Sequence, residues 1–252
     1  MGLFDFFKKK KATNTSVVSD NRVKAEVKTE PPRSVNTFKE EIPNSVSGIK
    51  QEPIRQSYYR LEDIKSMRMG ESLMIVPYDA GWLLQTPDYK ILPLFANSEK
   101  IRRFLPGLGF ETEESCRKKL EAICVKTEAG LGFTYFIREQ GVPIGMITVD
   151  SPLYNAKAMN LRIWSVDFFI IEHCEHQGYM FNALARVLNQ LKGMGIQRVH
   201  ALVDVQNTSC IRLLKGLFQQ EIDNTHFASR NPGDAKPRVF VIDLSTINFQ
   251  RR

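Results

Sequence analysis

The chain has 252 residues, a hydrophobic fraction of 42% and a formal net charge of +7 at neutral pH. That length suits one domain of ordinary size with extensions, and no apolar run approaches the ~20 residues of a membrane-spanning helix. Lys8 to Lys11 and the terminal Arg251-Arg252 supply six of the positive charges, so the charge belongs to tails more than to a binding face, and a nucleic-acid partner is not expected.

The chain opens MGLFDFFKKKK. Leu3, Phe4, Phe6 and Phe7 ahead of four lysines have the make-up of an interfacial anchor, which would give residues 1–11 weak contact with an anionic membrane surface. The alternative is a loose segment, or one that docks on its own domain. Phe6 stands where a myristoylation signal carries Ser or Thr, and the apolar stretch is too short for a secretory signal. Residues 12–57 are rich in Lys, Glu, Ser, Asn and Pro and keep no period, so a disordered linker is expected there. Three Val/Ile-Lys-x-Glu quartets in this stretch resemble SUMO acceptor sites, although a tail of this composition produces them by chance. Cys116, Cys124, Cys174 and Cys210 form no CxxC pair, as expected of reduced thiols in a cytoplasmic protein.

A folded domain is expected over 58–252. Leu73–Val76 and Trp82–Gln85 read as short strands flanked by Pro77 and Pro87. Asn97 can cap a helix running to Leu105, stopped by Pro106-Gly107. Thr112 with Ser115 opens a second helix, with Cys116, Leu120, Ile123 and Cys124 on one face. Phe133–Arg138 and Ile144–Val149 form a hairpin about Glu139-Gln140-Gly141. A strand at Leu161–Ile171, a helix at Gly178–Leu191, a strand at Val199–Val205, a helix at Asn207–Leu217 and a last strand at Val239–Leu244 follow. The order predicts an α/β fold: antiparallel strands first, then a parallel crossover through the Gly178 helix.

The chemistry concentrates between Asp167 and Leu217. Strand, glycine turn and helix N-terminus leave backbone N–H groups unpaired and form a ready anion site. His173, Cys174 and His176 have no second ligand cluster elsewhere, so no metal is expected. Asn207 is a good N-cap unaided.

Asp167-Phe168-Phe169-Ile170, the Glu175–Met180 loop with its central Gly178, and Asn207-Thr208-Ser209-Cys210-Ile211-Arg212-Leu213-Leu214 together resemble the acyl-coenzyme A core of the GNAT acetyltransferases. The run Gly178-Tyr179-Met180 followed by Ala183-Leu184 is similar to the ribosomal-protein N-acetyltransferase branch, as are Leu92–Leu105 and the helix start at Thr112. The resemblance implies a mixed sheet of about six to seven strands flanked by about four helices. It also implies acetyl-coenzyme A as substrate, no metal, and a primary amine on a protein or small molecule as acceptor. Glu175, His176, Gln177, Gly178, Tyr179 and Met180 would surround the pyrophosphate. Phe169 and Ile170 would offer a strand edge to pantetheine, with Asn207 on the other side. Many members donate the final proton from a Tyr where this chain has Leu214; the ribosomal-protein branch uses a Ser where it has Cys210. Cys210 is therefore the expected donor, since a thiol of pKa about 8.5 can protonate a thiolate, with a packing role as the alternative. Asp167, or a water it orders, is the expected base, or else a structural acceptor.

The loop departs from the family at two places: Glu175 stands where Arg or Gln is usual, and Met180 where Gly or Ala is usual. A carboxylate about 6 Å from a phosphate charge costs on the order of 3 kcal/mol at an effective dielectric constant near 20, and under 1 in bulk water. His176 and nearby lysines are the groups that can offset it. These departures leave a second function open: a weak or inactive GNAT-fold module that binds a protein partner.

Overall fold

The computed structural model describes residues 59, 61–96, 98–154, 163–224, 227 and 233–247. The expectations for residues 1–11 and 12–57, and for Asn97 as a cap, lie outside them. Eight strands pair into one sheet: β1 (Met67–Met69), β2 (Leu73–Pro77), β3 (Gly132–Glu139), β4 (Val142–Asp150), β5 (Trp164–Ile170), β6 (Arg198–Val203), β7 (Gln220–Ile222) and β8 (Arg238–Asp243), in the order β1-β2-β3-β4-β5-β6-β8-β7. The first five are antiparallel neighbours, β5 and β6 run parallel, and β8 is antiparallel to both β6 and β7. Six α-helices flank the sheet among the described residues: α1 (Ala80–Gln85), α2 (Asp88–Ala96), α3 (Glu99–Phe104), α4 (Glu113–Glu128), α5 (Tyr179–Gly193) and α6 (Thr208–Leu217).

The helices form where sequence and burial agree. Thr112 and Ser115 close a reciprocal capping box at the start of α4, whose Cys116, Leu120, Ile123 and Cys124 are buried. In α5 the buried set Met180, Ala183, Leu184, Val187, Leu188 and Leu191 repeats at three and four residues, the period of one helix face. β3 is buried along nearly its whole length, and its hairpin to β4 turns through Gln140 and Gly141, both at positive φ.

One expectation is overturned here. Residues 82–85 belong to a helix, α1, with Asp79 accepting from the Trp82 N–H at 3.0 Å as its N-cap. A four-residue apolar run has no period long enough to choose strand over helix, and tertiary contacts decide it. The Arg138 guanidinium of β3 stacks over the Trp82 ring at 4.1 Å, and Leu84 is exposed to solvent. Arg138 also pairs with Asp88 at the start of α2 through both guanidinium nitrogens; both side chains are buried. The helix expected from 97 to 105 is the shorter α3, capped at Ser98, with α2 before it.

The join between β5 and β6 positions everything functional. Their ladder consists of Trp164↔Val199 and Ser165↔His200, and stops there. From Val166 onward the strands part, and the space between them opens as a cleft. Trp164 itself is a core residue, packed against Tyr59 and Phe133.

Candidate functional site

The cleft encloses about 450 Å³. β5 supplies one wall through Val166, Asp167, Phe168, Phe169 and Ile170, and β6 supplies the other through Leu202 and Val203. Because the ladder ends at Ser165, the edge of β5 from Val166 to Ile170 faces this space instead of a neighbouring strand. Gly178, at φ 75°, is the N-cap of α5; a left-handed conformation there suits glycine and turns the chain directly from loop to helix. The first bond within α5 runs from Asn182 N–H to Gly178 C=O, so the N–H groups of Tyr179, Met180 and Phe181 precede the helical ladder, and all three residues line the cleft. Asn207 caps α6 by accepting from the Cys210 N–H at 3.1 Å, and both residues line the opposite side.

The sequence from residue 83 to 217 matches the family described as Acetyltransferase (GNAT) domain, which is more than half of the chain.

The chain belongs to the GNAT acetyltransferase family.

Solved structures of the same fold include the ribosomal L7/L12 α-N-protein acetyltransferase RimL, in complex with coenzyme A held as a disulfide to a cysteine. It is 15% identical, with a TM-score of 0.55, covering 71% of this chain and 98% of that one. The ribosomal-protein-S5-alanine acetyltransferase from Vibrio fischeri is 13% identical, with a TM-score of 0.55 and coverage of 73% and 98%. The microcin C7 self-immunity acetyltransferase MccE, solved with acetyl-coenzyme A and AMP, is 14% identical, with a TM-score of 0.56 and coverage of 69% and 93%. No curated protein matches the sequence.

In this GNAT domain, ten of the eleven residues singled out from sequence line the one cleft: Asp167, Phe169, Ile170, Glu175, His176, Gly178, Tyr179, Met180, Asn207 and Cys210. Gln177 does not; its side-chain amide folds back to donate to the His173 carbonyl at 3.1 Å. Met180 is buried beneath the helix start, so its side chain joins the core. Leu214 is fully buried as well.

Sequence reasoning missed the contribution of α3. Lys100, Ile101 and Phe104 line the cleft, and Lys100 Nζ lies 2.7 and 2.5 Å from the two carboxylate oxygens of Glu175. At the other end of α3, Arg103 pairs with Asp234 at 2.6 Å and approaches Asp204 at 3.7 Å. The expected phosphate-repelling carboxylate is therefore already met by a cation from another helix.

A second cleft of about 400 Å³ opens on the other side of β5. It shares Leu105, Asp167, Phe168 and Phe169 with the first, and adds Lys119 and Lys126 of α4, Met146, Thr148 and Asp150 of β4, and Tyr154. Lys126 Nζ bonds Asp150 Oδ1 at 2.6 Å and lies 5.1 Å from the centre of the Tyr154 ring. Burial pushes the Asp150 carboxyl above its ordinary range, against the pull of Lys126, and Asp167 adds to the rise. Asp167 thus stands at the junction of two clefts. Among the described residues, no group of three His, Cys, Asp or Glu side chains is arranged to hold a metal, and no helix is long and apolar enough to cross a membrane.

Proposed function

We propose that the chain is an acetyl-coenzyme A-dependent N-acetyltransferase that transfers the acetyl group to a primary amine of a protein or small molecule. The observation that carries this is that two clefts meet at β5, both lined by Asp167, Phe168 and Phe169. A thioester threaded along the β5 edge, with its pyrophosphate on the N–H groups of Tyr179, Met180 and Phe181, would present its carbonyl where the second cleft begins. The helix dipole of α5 favours the anion.

The step follows from the groups at that junction. Asp167, directly or through a water, takes a proton from the incoming ammonium. The amine nitrogen attacks the thioester carbonyl and a C–N bond forms; the tetrahedral intermediate gives up its surplus nitrogen proton to solvent and expels coenzyme A as its C–S bond breaks. The departing thiolate takes a proton from Cys210 across the cleft, and solvent later restores it. The likeness to RimL and to the S5-alanine enzyme supports a protein N-terminus among the possible acceptors.

The buried Leu214, where many members carry a proton-donating Tyr, favours one rival: a GNAT-fold module without turnover that binds a protein partner. Calorimetric titration of the full chain with coenzyme A, followed by acetyl transfer to amine and peptide acceptors, separates the two. Coenzyme A binding with turnover is the expected result. Absence of binding at millimolar coenzyme A overturns the enzyme reading.

A further inference from the structure

The phosphate-facing loop of this chain presents an acidic residue, Glu175, three positions before Gly178. An acidic residue there weakens any phosphate-bearing ligand unless a cation is held beside it. The structure holds one. Lys100 projects from α3, 75 positions away in sequence, and reaches both Glu175 oxygens. Both side chains line the same cleft as Gly178 and Tyr179.

An ammonium has three N–H donors and no acceptor. Two of Lys100's donors go to the Glu175 oxygens, which leaves one for a ligand. The side chains are 34% and 17% exposed, so the pair is shielded enough to feel a reduced dielectric yet open enough to meet a ligand. The other basic groups nearby are placed differently. His176 Nε2 is 3.9 Å from Glu175, with its side chain 75% exposed. Arg103 is engaged by Asp234 and Asp204 at the far end of α3. Arg212 lies on α6, along the opposite arm of the cleft.

We propose that Lys100 is the pyrophosphate-binding cation of this cleft, delivered by α3 to the place where the loop itself carries Glu175. Glu175 acts as its counter-ion and keeps the ammonium docked at the α5 N-terminus while the cleft is empty. The assignment rests on the coenzyme A reading above. It adds a ligand-touching residue from outside the strand–glycine–helix unit.

The test uses the full chain and calorimetric titration with coenzyme A at low and high salt, for the unmodified protein and for Lys100→Met, Lys100→Arg and Glu175→Gln. Circular dichroism confirms equal folded fractions. Lys100→Met is expected to weaken binding about tenfold or more, because it removes a charge-assisted donor and leaves the carboxylate bare. It should also flatten the salt dependence. Lys100→Arg keeps the charge and should hold affinity within about threefold. Glu175→Gln should tighten binding, since the ammonium stays and the repulsion goes. A pair that served only as a structural clamp would make Lys100→Met and Glu175→Gln shift affinity in the same direction, and that outcome overturns the assignment. So does unchanged affinity in Lys100→Met while the unmodified protein binds. If the unmodified protein binds no coenzyme A, the functional reading itself fails and takes this assignment with it.

Discussion

Cys210 and His200 show how differently two titratable side chains can be placed: the first lines the cleft and the second is buried in β6. Cys210 is half-buried on the first turn of α6, where Asn207 fixes its backbone. If it protonates the leaving thiolate, Cys210→Ala should lower turnover by about a hundredfold with little change in coenzyme A affinity, because a general acid acts mainly in the transition state. Cys210→Ser should keep more activity. Full turnover in Cys210→Ala, measured by single-turnover kinetics at equal folded fraction, would make it a packing residue. His200 is 1% exposed and its ring stacks on Phe227 at 5.3 Å. Burial lowers its pKa below the ordinary value, against opposing pulls from the Trp164 backbone and Asp167. The folded state therefore disfavours the proton that the unfolded chain accepts near pH 6.5. Stability should fall as pH drops through that value, by up to about 1.4 kcal/mol per pH unit for the one proton. Denaturant titrations should show the slope flattened in His200→Met. The sequence revealed Glu175 as an oddity because its neighbours set an expectation for it. Lys100 was invisible, since nothing local ties residue 100 to residue 175.

At the scale of elements, α1 and α2 owe their place to one buried ion pair. The Arg138 guanidinium meets Asp88 with two nitrogens, donates to the Gly141 carbonyl at 2.8 Å and stacks on Trp82. Thr86 Oγ1 donates to Asp88 at 2.8 Å. Removing one partner strands a buried charge, so Arg138→Met should cost about 3–5 kcal/mol in chemical denaturation. Pairing it with Asp88→Leu should recover much of the loss, since the orphaned carboxylate goes too. The strands and helices from 113 onward, β7 excepted, were legible because each has a cap, a glycine turn or a sustained period. The Trp82–Gln85 segment was not: its helix depends on an arginine more than fifty residues downstream. β1 and β7 were illegible for another reason. Each has three residues, and β7 is exposed throughout, so neither carries a pattern to read.

For the whole molecule, we propose from composition alone that residues 12–57 form a linker without a packed core. Limited proteolysis should cut within it and leave a stable fragment beginning near Tyr58, detectable by mass spectrometry. Protection of the entire stretch would show that it packs as structure. The fold class and the parallel crossover were readable from the order of elements alone. The depth of the separation between β5 and β6 was not, because it reflects where pairing ceases, and pairing depends on both strands at once.

That two-rung ladder has a mechanical consequence. One arm of the sheet, β1 to β5, meets the other, β6 to β8, through Trp164↔Val199 and Ser165↔His200, with α3 reaching across by way of Arg103 to Asp204 and Asp234. A ligand lying along the β5 edge takes the position a missing strand would occupy, and so acts as a splint between the arms. Saturating coenzyme A at a hundredfold excess over its Kd should stabilise the fold by about 2.7 kcal/mol. Hydrogen exchange should slow most at the amides of β5 and β6 beyond the second rung, while β2 and β3 stay unchanged. Uniform slowing across the sheet would mean that the two arms already move as one body before the ligand arrives.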